Sequence, residues 1–186
     1  ILSALTDTRT MNFEQAFGAK NITSAEMQQA INKWLALYLE GNEAEGRDDC
    51  QRLPVVIVNK VTKTAFSEFS TSVDASGNKA DFMRGLLDEI DAVKKQVMQY
   101  ALVGGECLVK PVLVPSGFVF VPIRRDCFMP LGRDAKGGLI DVGTAESTTY
   151  NGKYFTLLAR RTVDASGTLT IQSKLYMSFT KGELGT

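Results

Sequence analysis

Tyr100-Ala-Leu-Val-Gly-Gly-Glu-Cys-Leu-Val-Lys-Pro111 is where the chain changes character. Upstream, apolar residues recur every three to four positions; downstream, the residue types suit extended backbone. Gly104-Gly105 marks the break, because glycine takes the left-handed conformation that closes a helix C-terminus without steric cost. No catalytic group stands at the break. Phe82, Leu86, Ile90, Val93, Val97 and Tyr100 line one face of the helix that the break closes. That helix is expected to begin at an Asn78 cap and to run to about Val103. Asp88, Asp91, Lys94 and Lys95 fall mostly on its other side. Asp91 has the spacing of an ion pair with Lys94 and with Lys95, so this side reads as a solvated face.

Two shorter helices precede it. Thr23 and Glu26 have capping-box spacing, with Ile22 and Met27 placed as a hydrophobic staple. Met27, Ile31, Trp34, Leu35 and Tyr38 follow at helical spacing up to Gly41. The polar stretch Gly41 to Arg52 reads as a loop, and Pro54 suits the first turn of a second helix. Val55-Val-Ile-Val58 taken alone has strand composition. Val58, Val61, Ala65, Phe66 and Phe69 continue at helical spacing, so helix is expected within Leu53 to Val73. Asp74-Ala-Ser-Gly77 is a turn. Residues 1–22 are weakly periodic and read as an arm or lead-in.

Beyond Gly105, Cys107 to Val114 and Phe118 to Ile123 flank Pro115-Ser-Gly117 as a hairpin. Both strands are apolar on both faces, so helices should cover the sheet on one side. Cys127 to Leu131 and Leu139 to Val142 flank the turn Asp134 to Gly138. Lys153 to Thr162 and Thr168 to Met177 flank Asp164-Ala-Ser-Gly167. In the last strand Leu169, Ile171 and Leu175 alternate with Thr170, Gln172 and Lys174, the pattern of a half-exposed antiparallel strand. Val-Asp-Ala-Ser-Gly occurs at Val73 and again at Val163, as recurring turn chemistry. The expected fold is α+β, with N-terminal helices packed on an antiparallel β region. The division is 1–22 lead-in, 23–104 helical, 105–186 antiparallel β.

The chain has 186 residues and 44% hydrophobic residues, with 21 Lys+Arg against 21 Asp+Glu. Balanced charge removes the broad electrostatic argument for a nucleic-acid or membrane-surface binder. The absence of histidine removes the commonest general base and zinc ligand. Cys50, Cys107 and Cys127 form neither a CxxC pair nor a disulfide framework, and read as thiols in a reducing compartment. No apolar run approaches the roughly 18 residues that span a bilayer. The first residue is Ile1 and the last Thr186; the expectation is a piece of a longer chain.

Chemical motifs are sparse. Gly104-Gly105 follows a helix and precedes a strand, the reverse of a phosphate-binding loop, and no Lys-Ser/Thr pair adjoins it. A Gly-x-Ser-x-Gly elbow is absent. Asp48-Asp49, Asp88-Glu89-Asp91 and Asp126 are the carboxylates that an acid/base pair or a metal would need. Adjacent residues point apart, and the helical ones fall on the solvated face. The basic clusters are Lys94-Lys95, Arg124-Arg125 and Arg160-Arg161, and Phe118, Phe120 and Phe155 fall in strands near the arginines, as base stacking by a single-strand binder would need. Phe118 and Phe120 fit a buried sheet face better, and the arginines beside Asp126 suit inter-strand or inter-subunit ion pairs.

Several segments resemble one known family. Ile31-Asn-Lys-Trp-Leu-Ala-Leu-Tyr-Leu-Glu-Gly41 looks like the early helix of portal proteins from long-tailed phages of Gram-positive bacteria. Leu53-Pro-Val-Val-Ile-Val-Asn-Lys-Val-Thr-Lys-Thr-Ala-Phe66 is similar to their second helix. Tyr100 to Pro111 resembles the glycine-rich passage into their β region. Val121-Pro-Ile-Arg-Arg-Asp-Cys-Phe-Met-Pro-Leu131 is similar to the segment after it. Tyr154-Phe-Thr-Leu-Leu-Ala-Arg160 and Ser173-Lys-Leu-Tyr176 look like the closing strands. Order and spacing over about Ser24 to Gly185 carry the resemblance.

The resemblance implies a wing-like part of a ring-forming subunit, usually twelve copies at one capsid vertex. Such rings pass DNA during packaging and ejection and connect head to tail. It implies self-association, and contacts with the large terminase, a head–tail adaptor, capsid and scaffold through the full-length protein. DNA would pass through channel segments outside this stretch. Neither enzymatic activity, a cofactor nor a membrane is implied, and the location would be the virion, or the host cytoplasm during assembly. Trp34, Tyr38, Phe66, Phe69, Arg124 and Arg125 are the candidate inter-subunit or packing surface. Two other readings stand beside it: a nucleic-acid-binding module using Arg124, Arg125, Arg160 and Arg161, and an enzyme with a carboxylate–metal site at Asp48, Asp49 or Asp88.

Overall fold

The structure, a computed structural model, describes residues 13–39, 53–115, 117–181 and 183–185. Residues 13–17 are helical (α1). Then come α2 (Ala25–Leu39), α3 (Leu53–Ala65), α4 (Asn78–Gly104), β1 (Cys107–Val114) and β2 (Gly117–Arg124). A 3-10 turn (Arg125–Cys127) leads to β3 (Phe128–Arg133), β4 (Leu139–Tyr150), β5 (Lys153–Val163) and β6 (Leu169–Ser178). The fold is α+β, with one two-stranded sheet, β1-β2, and one four-stranded sheet in the order β3-β4-β5-β6. The chain divides into two units: Lys33–Arg125, and the N-terminal residues up to Asn32 together with the segment from Asp126 onward. The hairpin therefore belongs with the long helices, so the boundary near residue 105 expected from sequence does not separate two bodies.

In the Lys33–Arg125 unit, the strand-like Val55-Val-Ile-Val58 is helical, because helical spacing over the 13 residues of α3 outweighs local β propensity. Pro54 lies in the first turn, where its missing N–H costs nothing. The helix stops at Ala65, short of Val73. The Phe66 N–H still donates to the Thr62 carbonyl at 3.2 Å. Ser67 then donates its N–H and hydroxyl to Thr64 O at 3.3 and 2.8 Å, which ends the ladder. Phe66 and Phe69 thus leave the helix and meet edge to face, ring centroids 5.6 Å apart.

α4 begins one residue earlier than the Asn78 cap would place it. Gly77, at φ 94°, is the N-cap and Asn78 is already helical, with no side-chain cap. Arg84 fastens this turn, pairing with Asp81 at 2.6 Å and donating to Ala75 O. At the other end Gly105 is left-handed, φ 82°, and its N–H donates to Ala101 O at 2.8 Å. Gln99 Nε2 donates to Asn59 Oδ1 at 2.8 Å and ties α4 to α3. α4 also packs along the β1-β2 hairpin, mainly on β2. The hairpin register is unbroken from Cys107↔Arg124 to Val114↔Gly117.

The other unit is an antiparallel meander. Its two expected turns share one construction. Asp134 N–H donates to Gly138 O and Gly137 N–H to Asp134 O, at 2.9 and 3.0 Å; Asp164, Thr168 and Gly167 repeat this at 3.1 and 3.0 Å. The aspartate carboxylate accepts further backbone N–H groups inside each turn, at 2.7 to 2.9 Å. β4 runs to Tyr150, eight residues beyond the Val142 expected from sequence.

Within residues 13–22 the arm reading is overturned. Phe13 is 0% exposed and forms the core with Ala16, Met129 and Leu158, flanked by Phe17, Leu131, Ala145 and Tyr176. Gly143 makes room for the Phe13 ring: a Cβ there would lie 2.6 Å from Cε1. The cap of α2 also moves. Ser24, not Thr23, accepts the Met27 N–H, at 3.2 Å, and Ile22 and Met27 are both exposed, so no staple forms. Thr23 N–H donates instead to Asn21 Oδ1 at 3.0 Å. The Glu26 carboxyl is held below its ordinary pKa by its own backbone N–H and then by the Ser24 hydroxyl.

Candidate interaction surface

The sequence supplies apolar side chains in excess of what the Lys33–Arg125 unit buries. Trp34, on α2, is 56% exposed, and Val56, Ile57 and Val61 of α3 are exposed as well. Phe69 is 52% exposed, while Phe66 is half-buried. Along α4 the apolar stripe is only partly covered, since Phe82 and Ile90 remain exposed. Beside α4 lies a groove of about 290 Å³, lined by Phe66, Ile90, Val93, Lys94, Val97, Met98 and Val109. Lys94 is shared between the groove and its rim. Its ammonium lies 5.5 and 5.1 Å from the Phe66 and Phe69 ring centroids and 3.0 Å from Asp91. Thr71 donates its hydroxyl to the same carboxylate at 3.2 Å. The expected Asp91–Lys94 ion pair thus clamps the segment after α3 onto α4, through cation–π contact as well as charge.

The candidate surface residues scatter in their surroundings. Tyr38 is half-buried beside Tyr100, and burial, then the Tyr100 phenol, raises its pKa. Arg124 is half-buried on β2, opposite Cys107. Arg125 is 4% exposed, 3.6 Å from Glu106 and packed against Gly104, so it belongs to the interior of this chain and not to an inter-subunit surface. The physical reason is local: the 3-10 turn after β2 folds its side chain back over the α4 terminus.

The arginines of the nucleic-acid reading are held by the protein itself. Arg160 donates Nε and Nη2 to Asp141 at 3.0 and 2.6 Å, and this hydrogen bonding raises its pKa further. Arg161 Nη1 donates to the buried Thr144 hydroxyl at 2.8 Å. Phe118 is exposed and Phe120 and Phe155 half-buried, each facing strand partners. As for the carboxylates, Asp48 and Asp49 lie outside the described residues, as does Cys50. Asp88 is exposed on α4, and Asp126 accepts a weak contact from Cys127 Sγ at 3.5 Å. Among the described residues no three His, Cys, Asp or Glu side chains converge as metal ligands. Cys107 and Cys127 are free thiols, and burial pushes the Cys107 thiol up. Among the described residues no helix is long and apolar enough to cross a membrane.

What the sequence did not disclose is the orientation of β6. Leu169, Ile171 and Leu175 are exposed, at up to 66% for Leu175, whereas Lys174 and Tyr176 face α1. The signal was the Phe13-x-x-Ala16-Phe17 spacing, which supplies a helical apolar stripe to cover one side of the sheet. No family model, no curated protein and no solved structure matches the chain.

Proposed function

We propose that this chain is a structural, non-enzymatic subunit segment: the wing portion of a tailed-phage portal protein, whose copies pack into a ring at a capsid vertex. In this reading the full-length ring passes DNA during packaging and ejection and connects head to tail. The terminase, adaptor, capsid, scaffold and DNA contacts belong to other parts of the longer chain. It resides in the virion, and in the host cytoplasm during assembly.

One observation carries the proposal: Trp34, Val56, Ile57, Phe69 and Phe82 leave apolar surface uncovered, and the groove beside α4 is lined by apolar side chains with Lys94 as its one charged member. Such surface suits packing against neighbours. The order and spacing of the segments from Ile31 to Tyr176 add the family resemblance. The nucleic-acid alternative is weakened by the engagement of Arg160 and Arg161 within the sheet. Negative-stain microscopy of the full-length protein tests the proposal. Rings with a central hole are expected; a uniform population of monomers at tens of micromolar would refute it.

A further inference from the structure

The two outer strands of the four-stranded sheet are treated differently. β3 carries Pro130, and its register against β4 shifts twice, between Pro130 and Gly132 and between Gly132 and Arg133. Its Pro130 carbonyl also accepts the Ile22 N–H at 3.0 Å. Proline, bulges and a covering segment are the means by which proteins keep sheet edges from pairing.

β6 carries none of these over most of its length. Its pairing with β5 is continuous from Tyr154↔Ser178 to Val163↔Leu169, and it contains no proline. Among the described residues no strand pairs with its other side. Its one charged residue, Lys174, does not guard the edge: the ammonium donates to Ala16 O at 2.5 Å and lies 5.3 Å from the Phe17 ring centroid. Near the C-terminal end, Gly185 approaches the Met177 backbone, so the open stretch is Leu169 to Leu175. Over that stretch Leu169, Ile171 (55% exposed) and Leu175 share one face.

We infer that this edge pairs with the same edge of a second copy, antiparallel about Gln172. Pairing about Gln172 uses the whole open stretch, sets Leu169 against Leu175 and Ile171 against Ser173, and keeps all three apolar side chains on one face of a continuous eight-stranded sheet. A shift of register by one residue would set odd positions against even ones and break that face. A second copy supplies the matching apolar face by its own sequence, with Leu169 of each strand meeting Leu175 of the other. A seven-residue edge with three exposed apolar side chains on each copy is a small contact, at the low end of the roughly 1,200–2,000 Å² that stable interfaces bury. The dimer is accordingly reversible and concentration-dependent. The contact is isologous and closes at two copies, so it is separate from ring formation.

Sedimentation of the full chain from about 1 to about 100 µM, together with Cys crosslinking, tests the inference. Ile171→Lys places a charge on an exposed site and is expected to weaken self-association by this edge at least tenfold with an unchanged melting temperature. Gln172→Cys places two thiols opposite each other across the dyad and is expected to form a disulfide-linked dimer under mild oxidation. Asn151→Cys, in the β4–β5 turn, serves as the control and should form far less. Equal crosslinking at positions 172 and 151, or association unchanged by Ile171→Lys, would overturn the inference. Rings in the microscope with no crosslink at 172 would sink the edge contact and leave the ring reading standing; the converse result would do the opposite.

Discussion

Gly104 and Gly105 are adjacent glycines with different duties. Gly105 must be left-handed, at φ 82°, to close α4. Gly104 is helical and needs no special dihedral; there a Cβ would stand 2.6 Å from Arg125 Cβ. At Gly85, in the same helix, an added Cβ would meet nothing within 4 Å. Alanine at either helical position gains up to about 1 kcal/mol of helix propensity. At Gly104 the overlap with Arg125 outweighs it, because the neighbour is the first atom of a 4% exposed side chain with little room to retreat. Gly85→Ala is therefore expected to stabilise the protein by about 0.5–1 kcal/mol, and Gly104→Ala to destabilise it by about 1–2 kcal/mol. Urea unfolding of the two variants against the parent checks the opposite signs; equal shifts would refute the account. The sequence shows two glycines at a helix end, and from it both read as the break. That Gly104 is reserved for a buried arginine 21 positions later depends on a tertiary contact that has no local signature.

At the scale of elements, most strands were legible because turn chemistry punctuates them. Asp134-Ala-Lys-Gly137 and Asp164-Ala-Ser-Gly167 both supply a carboxylate for backbone N–H groups and a glycine for the left-handed residue, at φ 85° and 83°. Val73-Asp-Ala-Ser-Gly77 spells the same residues as Val163 to Gly167, yet it leads into α4, since helical and not alternating residues follow it. The far half of β4 was illegible because Glu146, Ser147, Thr148 and Thr149 are polar on both faces; they pair with β5 from Leu157 to Tyr154 and remain exposed. Alternation in β6 told which residues share a face but not which face would be covered. Within this sheet the Asp141–Arg160 pair joins β4 to β5, with side chains 15% and 25% exposed. Partly buried and held through two guanidinium nitrogens, it is worth more than a surface ion pair. Arg160→Ala is expected to cost about 2 kcal/mol. A double-mutant cycle with Asp141→Ala should return a coupling of about 1–2 kcal/mol, measured by denaturant unfolding. A coupling near zero would mean that the pair is held in place by the strands and contributes no stability of its own.

For the whole molecule, charge and apolar surface make opposite demands on an association experiment. The chain is neutral, 21 basic against 21 acidic residues, and two of its strand arginines already have internal partners. Among the described residues, its exposed large apolar side chains include Trp34, Ile57, Phe69, Phe82, Ile171 and Leu175. If association buries that surface, it is driven by release of water from apolar groups. Its strength then rises on warming from about 10 to about 30 °C and changes little, or increases, with added salt. A module that held nucleic acid through four arginines would behave in the contrary way, losing about a hundredfold of its affinity over a fourfold rise in salt. Sedimentation of the full chain at about 50 and about 200 mM salt, with and without single-stranded DNA, separates the two. The expected result is self-association that persists at the higher salt and shows no DNA-bound species at the lower. Association that dissolves with salt, or a DNA complex at low salt, would place the function in Arg124 and its neighbours and remove the apolar surface from the argument.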